Sequence, residues 1–218
     1  PDGECDRKYS DSIFQPFEYC IDSRHNVYGF FYHPDFYLGK YDSSGRAIFK
    51  FGTIPEEFKN YIRRFTGGSI AVDKNGYVYQ VNISGPEIYK YGPDGTLVRI
   101  IGRKPSYYIS PESDLPNTRS PQELMRKAAE IIRTASRTES IHLLQPDILM
   151  TPHYDPQQIK YGLEIFDLDG KYVLDEEIFA DGKVLSAKNG FLYVLRQPLP
   201  DKQGNLPNPI IEVYKFLK

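Results

Sequence analysis

The chain has 218 residues, and its 27 basic and 29 acidic side chains nearly cancel. This length allows one substantial core, so we expect a single domain over residues 1–218. The balanced charge gives no field that would favour nucleic acid, and no apolar run reaches the length of a membrane-spanning helix, so we expect neither a nucleic-acid partner nor a membrane span.

The first repeating unit of the chain is predicted to be an antiparallel sheet of four short strands. Runs of aromatic and β-branched residues alternate with polar turns, as half-buried strands do. The predicted strands cover 18–22, 27–32, 37–42 and 46–51. A stretch of helical spacing, 55–65, follows them.

The second unit, 69–102, carries the clearest signals. Asn75-Gly76 and Asp94-Gly95 each separate two apolar runs. Such pairs are typical of hairpins whose mirror-image turns need positive φ at their centre. The sequence therefore predicts a four-stranded meander here.

A helical insertion, 103–140, separates the second unit from the third. Ser120 followed by Glu123 forms a capping box, and Pro121 fits the first helical position, so a helix is predicted from Pro121 to about Thr138. Its basic residues favour a solvated face over a site for an anionic partner. Self-association through 121–138 is a further hypothesis.

The third and fourth units complete the repeat. Strands are predicted at 141–145, 148–151, 163–167 and 172–179, then at 184–187, 191–196 and 210–216. The fourth unit lacks its last strand, and Pro1-Asp2-Gly3 repeats Pro93-Asp94-Gly95, so the N-terminus is a candidate for it. A closed four-bladed ring and part of a larger propeller both remain open.

An equivalent aromatic residue marks each unit. The four are Tyr41, Tyr91, Phe166 and Tyr214, with spacings of 50, 75 and 48 residues. The spacings agree on a unit of about 50 residues with one insertion of about 25. Four-stranded units of this size stack radially, so the predicted fold is an all-β β-propeller with one helical insertion.

A family resemblance supports this fold. The segment 70–79, followed by Ile88-Tyr89-Lys90-Tyr91 and a glycine turn, resembles the NHL repeat of β-propellers, including six-bladed propellers of secreted and periplasmic bacterial proteins. The resemblance implies an extracytoplasmic location. A start at Pro1 rather than Met fits a processed N-terminus.

The long connections of such a meander are all predicted at one end of the sheets. They are 33–36, 52–68, 103–140, 152–161 and 197–209, whereas the turns at the other end are tight. Long loops are usually kept where they bind something, so we expect a non-enzymatic binding or scaffold module that presents this face to a protein, peptide or glycan partner. The candidate ligand-binding residues are His33, Asp35, Tyr37, His153, Tyr154 and Asp155.

An enzymatic function is the alternative. Some six-bladed relatives are lactone or ester hydrolases that hold calcium at the axis, which makes a propeller hydrolase or a lyase with a site on the same face a second hypothesis. The sequence shows no matching acidic set and no catalytic motif, so no cofactor is expected, calcium has no supporting motif, and the non-enzymatic function is favoured. A histidine followed by Asp and Pro is more often turn chemistry than a metal or acid–base site.

The two cysteines are predicted to be free thiols. Cys5 falls on an outer strand and Cys20 on an inner one, about 14 Å apart at ordinary strand spacing. This exceeds the reach of a disulfide.

Overall fold

A computed structural model describes residues 18–31, 37–52, 68–110, 120–174 and 176–216. Its elements are β1 (Glu18–Ile21), β2 (Val27–Phe30), β3 (Leu38–Tyr41), β4 (Ala47–Phe51), β5 (Gly68–Val72), β6 (Val78–Asn82), β7 (Ile88–Tyr91), β8 (Leu97–Ile101), α1 (Pro121–Thr134), β9 (Arg137–Thr138), β10 (His142–Gln145), β11 (Ile148–Asp155), β12 (Lys160–Asp167), β13 (Ile178–Ala180), β14 (Lys183–Lys188), β15 (Phe191–Arg196) and β16 (Ile210–Lys215).

The strands form four antiparallel sheets, which are the blades of a β-propeller, as predicted. Blade 1 is β1–β4, blade 2 is β5–β8, blade 3 is β10–β13 and blade 4 is β14–β16, each with its strands in sequence order; β9 adds to β11. The described part of blade 4 has three strands. The predicted contribution of the N-terminus to blade 4 and the predicted helix at 55–65 lie outside the described residues.

Three apolar cores lie between consecutive blades. Because side chains of alternate residues point to opposite faces of a strand, blades 2 and 3 each contribute to two of these cores. Blades 1 and 2 meet through Tyr28, Phe30, Ile70 and Val78; blades 2 and 3 through Val81, Ile101, Leu149 and Phe166; blades 3 and 4 through Met150, Ile165, Val184 and Val194.

Aspartates hold the tight turns of the blades. Asp73 Oδ1 accepts the backbone N–H groups of Asn75 and Tyr77 at 2.8 and 3.0 Å. The same pair of bonds recurs at Asp22, Asp42, Asp167 and Asp201. These carboxylates satisfy donors within their own turns.

The turn at Asn75-Gly76 is not the mirror-image turn that the sequence predicted. Of these two residues, only Gly76 has positive φ, 83°. The five-residue turn from Asp73 to Tyr77 needs a left-handed conformation only at the residue before its last. In the two-residue turn between β14 and β15, Asn189 and Gly190 both adopt positive φ, 55° and 77°. There the mirror-image turn does form.

The helix ends at Thr134, four residues before the predicted end. Ala135 is extended, and its N–H still donates to Ile131 O at 2.8 Å. Arg137 and Thr138 instead pair with β11 as strand β9. Tertiary pairing with a buried strand therefore overrides the helical spacing of this segment.

Blade 3 differs most from its prediction. The predicted loop 152–161 is mostly strand, because β11 and β12 each extend to eight residues and Asp155 closes the turn between them. The predicted last strand, 172–179, is broken: Tyr172 makes a single bridge to Phe166, and pairing resumes only at Ile178.

Two further expectations concern Cys20 and the membrane. Cys20 is a free thiol, as predicted, and burial raises its pKa; Cys5 lies outside the described residues. Within the described ranges, no helix is both long enough and apolar enough to span a bilayer.

Candidate functional site

The predicted site residues do not form one exposed cluster. His33 and Asp35 lie outside the described residues and stay predictions. Tyr37 is buried, and its ring stacks on Phe30 with centroids 5.5 Å apart. Tyr37 therefore belongs to the core between blades 1 and 2. It directly precedes β3, and its side chain already packs with the residues of that strand.

His153 lies within β11, not in a loop, and is completely buried. Its Nδ1 is 2.8 Å from Thr138 Oγ1, and its Nε2 is 3.1 Å from Thr151 Oγ1. Thr138 donates its own proton to a backbone carbonyl, so Nδ1 donates to Thr138 and Nε2 accepts from Thr151. Burial lowers the pKa of His153 to about 3, so this side chain is neutral and structural.

Tyr154 and Asp155 have separate roles. The Tyr154 ring lies 4.4 Å from the guanidinium carbon of Arg137 and packs on Tyr161 with centroids 5.4 Å apart. Asp155 is buried, and its Oδ1 accepts the N–H of Gln157 at 2.9 Å. Tyr154 is thus the one described member of the predicted set that reaches the surface of the loop end.

An ion pair between the partly exposed Arg103 and the buried Glu164 joins the insertion to blade 3. Arg103 Nε is 2.9 Å from Glu164 Oε2, and its guanidinium lies 3.9 Å from the centre of the Tyr172 ring. Burial raises the pKa of Glu164, which the hydrogen bond from Arg103 opposes. Tyr107 packs directly on Gly162, where a β-carbon would overlap the phenol oxygen.

A charged and aromatic patch lies at the loop end of blades 3 and 4. We call it the Arg137 patch; it comprises Arg137, Glu139, Tyr154 and Lys183. The Glu139 carboxylate lies 3.4 Å from Arg137 Nη2 and 3.3 Å from Lys183 Nζ. Since the Lys183 side chain is more than half exposed and Tyr154 is partly exposed, the patch presents a cation and an aromatic ring to solvent, while the Glu139 carboxylate between the two cations is mostly covered.

The 197–209 loop lies next to the Arg137 patch. It leaves β15 at Arg196, whose partner in β16 is Ile210, while Lys183 of the patch pairs with the adjacent Leu195. Two leucines of the loop, Leu199 and Leu206, are among the most exposed apolar side chains of the described residues. They stand in a run of prolines: Pro198, Pro200, Pro207 and Pro209.

The loop is ordered by its own hydrogen bonds. Asp201 Oδ1 accepts from the N–H groups of Gln203 and Asn205, and Gln197 Nε2 donates to Pro207 O at 2.9 Å. Prolines fix φ and reduce the conformational entropy that binding would remove. The hydrogen bonds and prolines of the loop therefore fix its backbone while Leu199 and Leu206 are exposed to solvent.

Two hydrogen-bonded pairs of a serine with a titratable side chain lie at the starts of inner strands. Ser69, in β5, donates through Oγ to Glu18 Oε1 at 2.7 Å, and burial raises the pKa of Glu18. In blade 3, Ser140 Oγ is 2.8 Å from His142 Nε2, and burial lowers the pKa of His142 to about 4. Among the described residues, no three or more His, Cys, Asp or Glu side chains are grouped so that they could hold a metal ion.

Sequence reasoning predicted the loop-rich end but missed its most exposed residues. The signal was present as Pro198-Leu199-Pro200 and Leu206-Pro207, apolar residues between prolines in a polar loop. The Arg137 patch had no such signal, because Arg137 and Glu139 fell in or just beyond the predicted helix. Only the pairing of β9 with β11 places them beside Tyr154.

No protein-family model matches the sequence, and a search of curated proteins found no match. Solved structures do match. A protein of unknown function from Bacteroides caccae is 12% identical with a TM-score of 0.52, over 93% of this chain and 64% of its own. A DUF4221 family member from Bacteroides vulgatus is 11% identical with a TM-score of 0.57, over 90% of this chain and 63% of its own. A streptogramin B lyase is 16% identical with a TM-score of 0.46, over 92% and 54%.

The likeness is one of fold. At these identities, the two Bacteroides proteins support the β-propeller fold and nothing about activity. The chain spans less than two thirds of the length of either.

Proposed function

We propose that this β-propeller is a non-enzymatic binding module that presents its loop-rich end to a protein or peptide partner; a glycan remains the other ligand class for this face. The observation that carries the proposal is the exposure of Leu199 and Leu206 on an ordered loop. Exposed apolar groups beside a polar patch are typical of protein interaction sites. The Arg137 patch supplies the polar rim.

A phage-displayed random peptide library, panned on the immobilised chain, tests this proposal. Peptides enriched on the parent are expected to lose most of their binding to the Leu199→Ser/Leu206→Ser variant, because the leucines would provide the apolar contacts. Leu97→Ser is the matched control, since Leu97 is also exposed but lies on the outer strand of blade 2. Equal binding to the parent and the double variant would reject the proposal, and so would the absence of enrichment.

A glycan array run with the parent, the leucine double variant and Tyr154→Ala distinguishes the ligand classes. Leucine contacts favour peptides, whereas a sugar ring would stack on Tyr154. Glycan binding that Tyr154→Ala abolishes and the leucine variant leaves intact would replace the peptide partner with a glycan.

A propeller hydrolase or lyase is the second candidate, and one observation favours it. Glu18 starts an inner strand, and its carboxyl has a raised pKa, as a general acid requires. Turnover of p-nitrophenyl acetate or a simple lactone by the parent, lost in Glu18→Gln, would establish it. No turnover above the buffer rate would remove it.

We also propose an extracytoplasmic location, supported by the resemblance to secreted and periplasmic propellers. Fractionation of cells that carry the full gene tests it: recovery of the protein with the cytoplasmic fraction would contradict this location.

A further inference from the structure

The hairpin that joins β11 to β12 closes with an isoleucine in an unfavourable backbone conformation. Ile159 has a φ of 56°, in the left-handed region. This region is uncommon for any residue that has a side chain, and it is strained for a residue branched at Cβ, because the branch is crowded against the backbone. The Ile159 N–H donates to Asp155 O at 2.9 Å, which closes the turn around this conformation.

Other tight turns of the chain show that this conformation does not require isoleucine. In six other turns of the described ranges, the closing residue also has positive φ and donates its N–H to the carbonyl of the first turn residue. One of these closing residues is a histidine and five are glycines: His25, Gly45, Gly76, Gly95, Gly170 and Gly204. Asn189, between β14 and β15, has a φ of 55°, almost that of Ile159. Of the described residues with positive φ, only Ile159 is branched at Cβ.

The Ile159 side chain is also exposed to solvent. It is 74% exposed, and among the large apolar side chains of the described residues only Leu199 is more exposed. Burial therefore does not offset the backbone strain. Glycine or asparagine at this position would remove both unfavourable features. Strained residues are typical of functional sites, and exposed apolar side chains beside polar groups are typical of interaction sites.

The rest of the hairpin holds Ile159 in place. Strands β11 and β12 pair over eight residues each, without a shift of register. Near the tip, the rings of Tyr154 and Tyr161 pack with centroids 5.4 Å apart. Lys160 Nζ lies 3.0 Å from Asp181 Oδ1, which ties the tip to the connection between β13 and β14. A partner would therefore meet a tip that is already ordered, so binding would cost little conformational entropy.

The hairpin tip is continuous with the surface of the proposed function. Tyr154, on the same hairpin, belongs to the Arg137 patch. Lys183, at the other side of the patch, pairs with Leu195, which lies just before the 197–209 loop. The Arg137 patch thus connects the hairpin of Ile159 with the loop that carries Leu199 and Leu206.

The shape of the tip indicates the class of partner. A single branched aliphatic side chain at the end of a hairpin is convex, and its neighbours Gln157 and Gln158 are exposed and polar. An extended peptide needs a groove or an open strand edge, and a sugar ring stacks on an aromatic face, neither of which Ile159 provides. An apolar pocket with a polar rim on a folded protein would bury it.

We propose that Ile159 is an anchor residue that enters an apolar pocket of a folded protein partner. This inference rests on the proposed function, because it names the partner class for the same end of the propeller. Asparagine or glycine would close the turn without strain but would offer no apolar contact. The isoleucine at this position therefore trades stability of the fold for binding.

Stability measurements test the strain without any partner. Ile159→Asn is expected to raise the midpoint of urea unfolding, because asparagine tolerates positive φ and is polar. Asn189→Ile is the reciprocal control: Asn189 is exposed and has nearly the same φ, so this change is expected to lower the midpoint. A midpoint that falls or does not change in Ile159→Asn would overturn the proposal, since the isoleucine would then carry no strain.

Binding is tested with a phage-displayed library of ankyrin-repeat proteins that are randomised on their concave face, panned on the immobilised whole chain. Such a face can form the pocket that the tip requires. Enriched clones are expected to bind Ile159→Asn at least about tenfold more weakly than the parent. Ile48→Asn is the matched control, because Ile48 is 48% exposed but lies on the last strand of blade 1, so binding to it is expected to equal binding to the parent.

The leucine double variant separates this inference from the proposed function. Clones that lose binding to Leu199→Ser/Leu206→Ser but bind Ile159→Asn as they bind the parent would overturn the inference and leave the proposed function standing. Absence of enrichment, or equal binding to the parent and to all variants, would also overturn the inference. Panning of the random peptide library decides the proposed function separately.

Discussion

Arg103 donates to the buried carboxylate of Glu164 through Nε at 2.9 Å and Nη2 at 3.3 Å, which ties the start of the insertion to the third strand of blade 3. The carboxylate is almost inaccessible, whereas 42% of the arginine side chain is exposed. Removal of Arg103 therefore leaves a buried charge without its partner.

We expect Arg103→Ala to lower the free energy of unfolding by roughly 2 kcal/mol, because an unpaired buried carboxylate is costly. Glu164→Gln is expected to cost less, since the amide still accepts one hydrogen bond and carries no charge. Urea denaturation of both variants and of the double variant measures the coupling. Additive losses would show that the pair does not act as a unit.

Gly162 is predicted to accept a side chain only if Tyr107 moves away from it. A β-carbon there would overlap the Tyr107 oxygen and its Cζ. Gly162→Ala is expected to destabilise the fold by about 2 kcal/mol through overpacking, and Tyr107→Ala to remove most of that additional loss. Denaturant midpoints of the two single variants and the double variant test this. A neutral Gly162→Ala would contradict the packing of Tyr107 against blade 3.

Acid is expected to destabilise the protein through His153, which is buried, and His142, which is partly buried. The pKa of His153 is about 3 and that of His142 about 4 in the folded chain, whereas an unfolded histidine titrates near 6.5. Below about pH 6.5 the unfolded chain therefore binds more protons at these positions, and the stability present above that pH is lost as the pH falls. The slope approaches about 1.4 kcal/mol per pH unit for each histidine.

Unfolding free energies measured from pH 7 to pH 4 test this dependence. His153→Gln is expected to lower the unfolding free energy at pH 7. It should also reduce the slope of unfolding free energy against pH by the amount that one titrating histidine contributes, because glutamine does not titrate. The raised pKa values of Glu18 and Glu164 make the unfolding free energy rise as the pH falls, which opposes the effect of the histidines. The unfolding free energy of each variant is therefore compared with that of the parent at the same pH. His25→Asn, at an exposed turn position, is the control. An unchanged slope in His153→Gln would mean that His153 is accessible to protons in the folded state.

The sequence predicts the blades well because their signals are local. Strand periodicity and Asp-x-x-Gly turns lie within a few residues of one another, and strands β1 to β4 fall within about two residues of their predicted bounds. Blade 3 was harder. Its long hairpin contains Pro152 and His153, which look like loop chemistry, and their burial depends on Thr138 from a segment that helical spacing had assigned to the helix.

The candidate site was less predictable than the fold. Histidine and aspartate were chosen for their chemistry, yet burial decides whether such groups can meet a ligand, and burial is set by contacts between distant segments. His153 is satisfied by Thr138 and Thr151. Tyr214 carries the same local pattern as Tyr91, yet it is 48% exposed and Tyr91 is 4% exposed, a difference that the local sequence does not reveal.

The aspartate turns provide the final prediction, because the same bonds occur in two environments. Asp73 is buried and also accepts from the Tyr79 hydroxyl at 3.2 Å, whereas Asp201 lies in an exposed loop where water can replace lost bonds. We expect Asp73→Ala to cost about 2 kcal/mol of unfolding free energy and Asp201→Ala to cost much less. Asp73→Asn should fall between them, since an amide oxygen retains the turn bonds. Equal losses at Asp73 and Asp201, measured by urea denaturation, would show that turn geometry and not burial sets the contribution of these carboxylates.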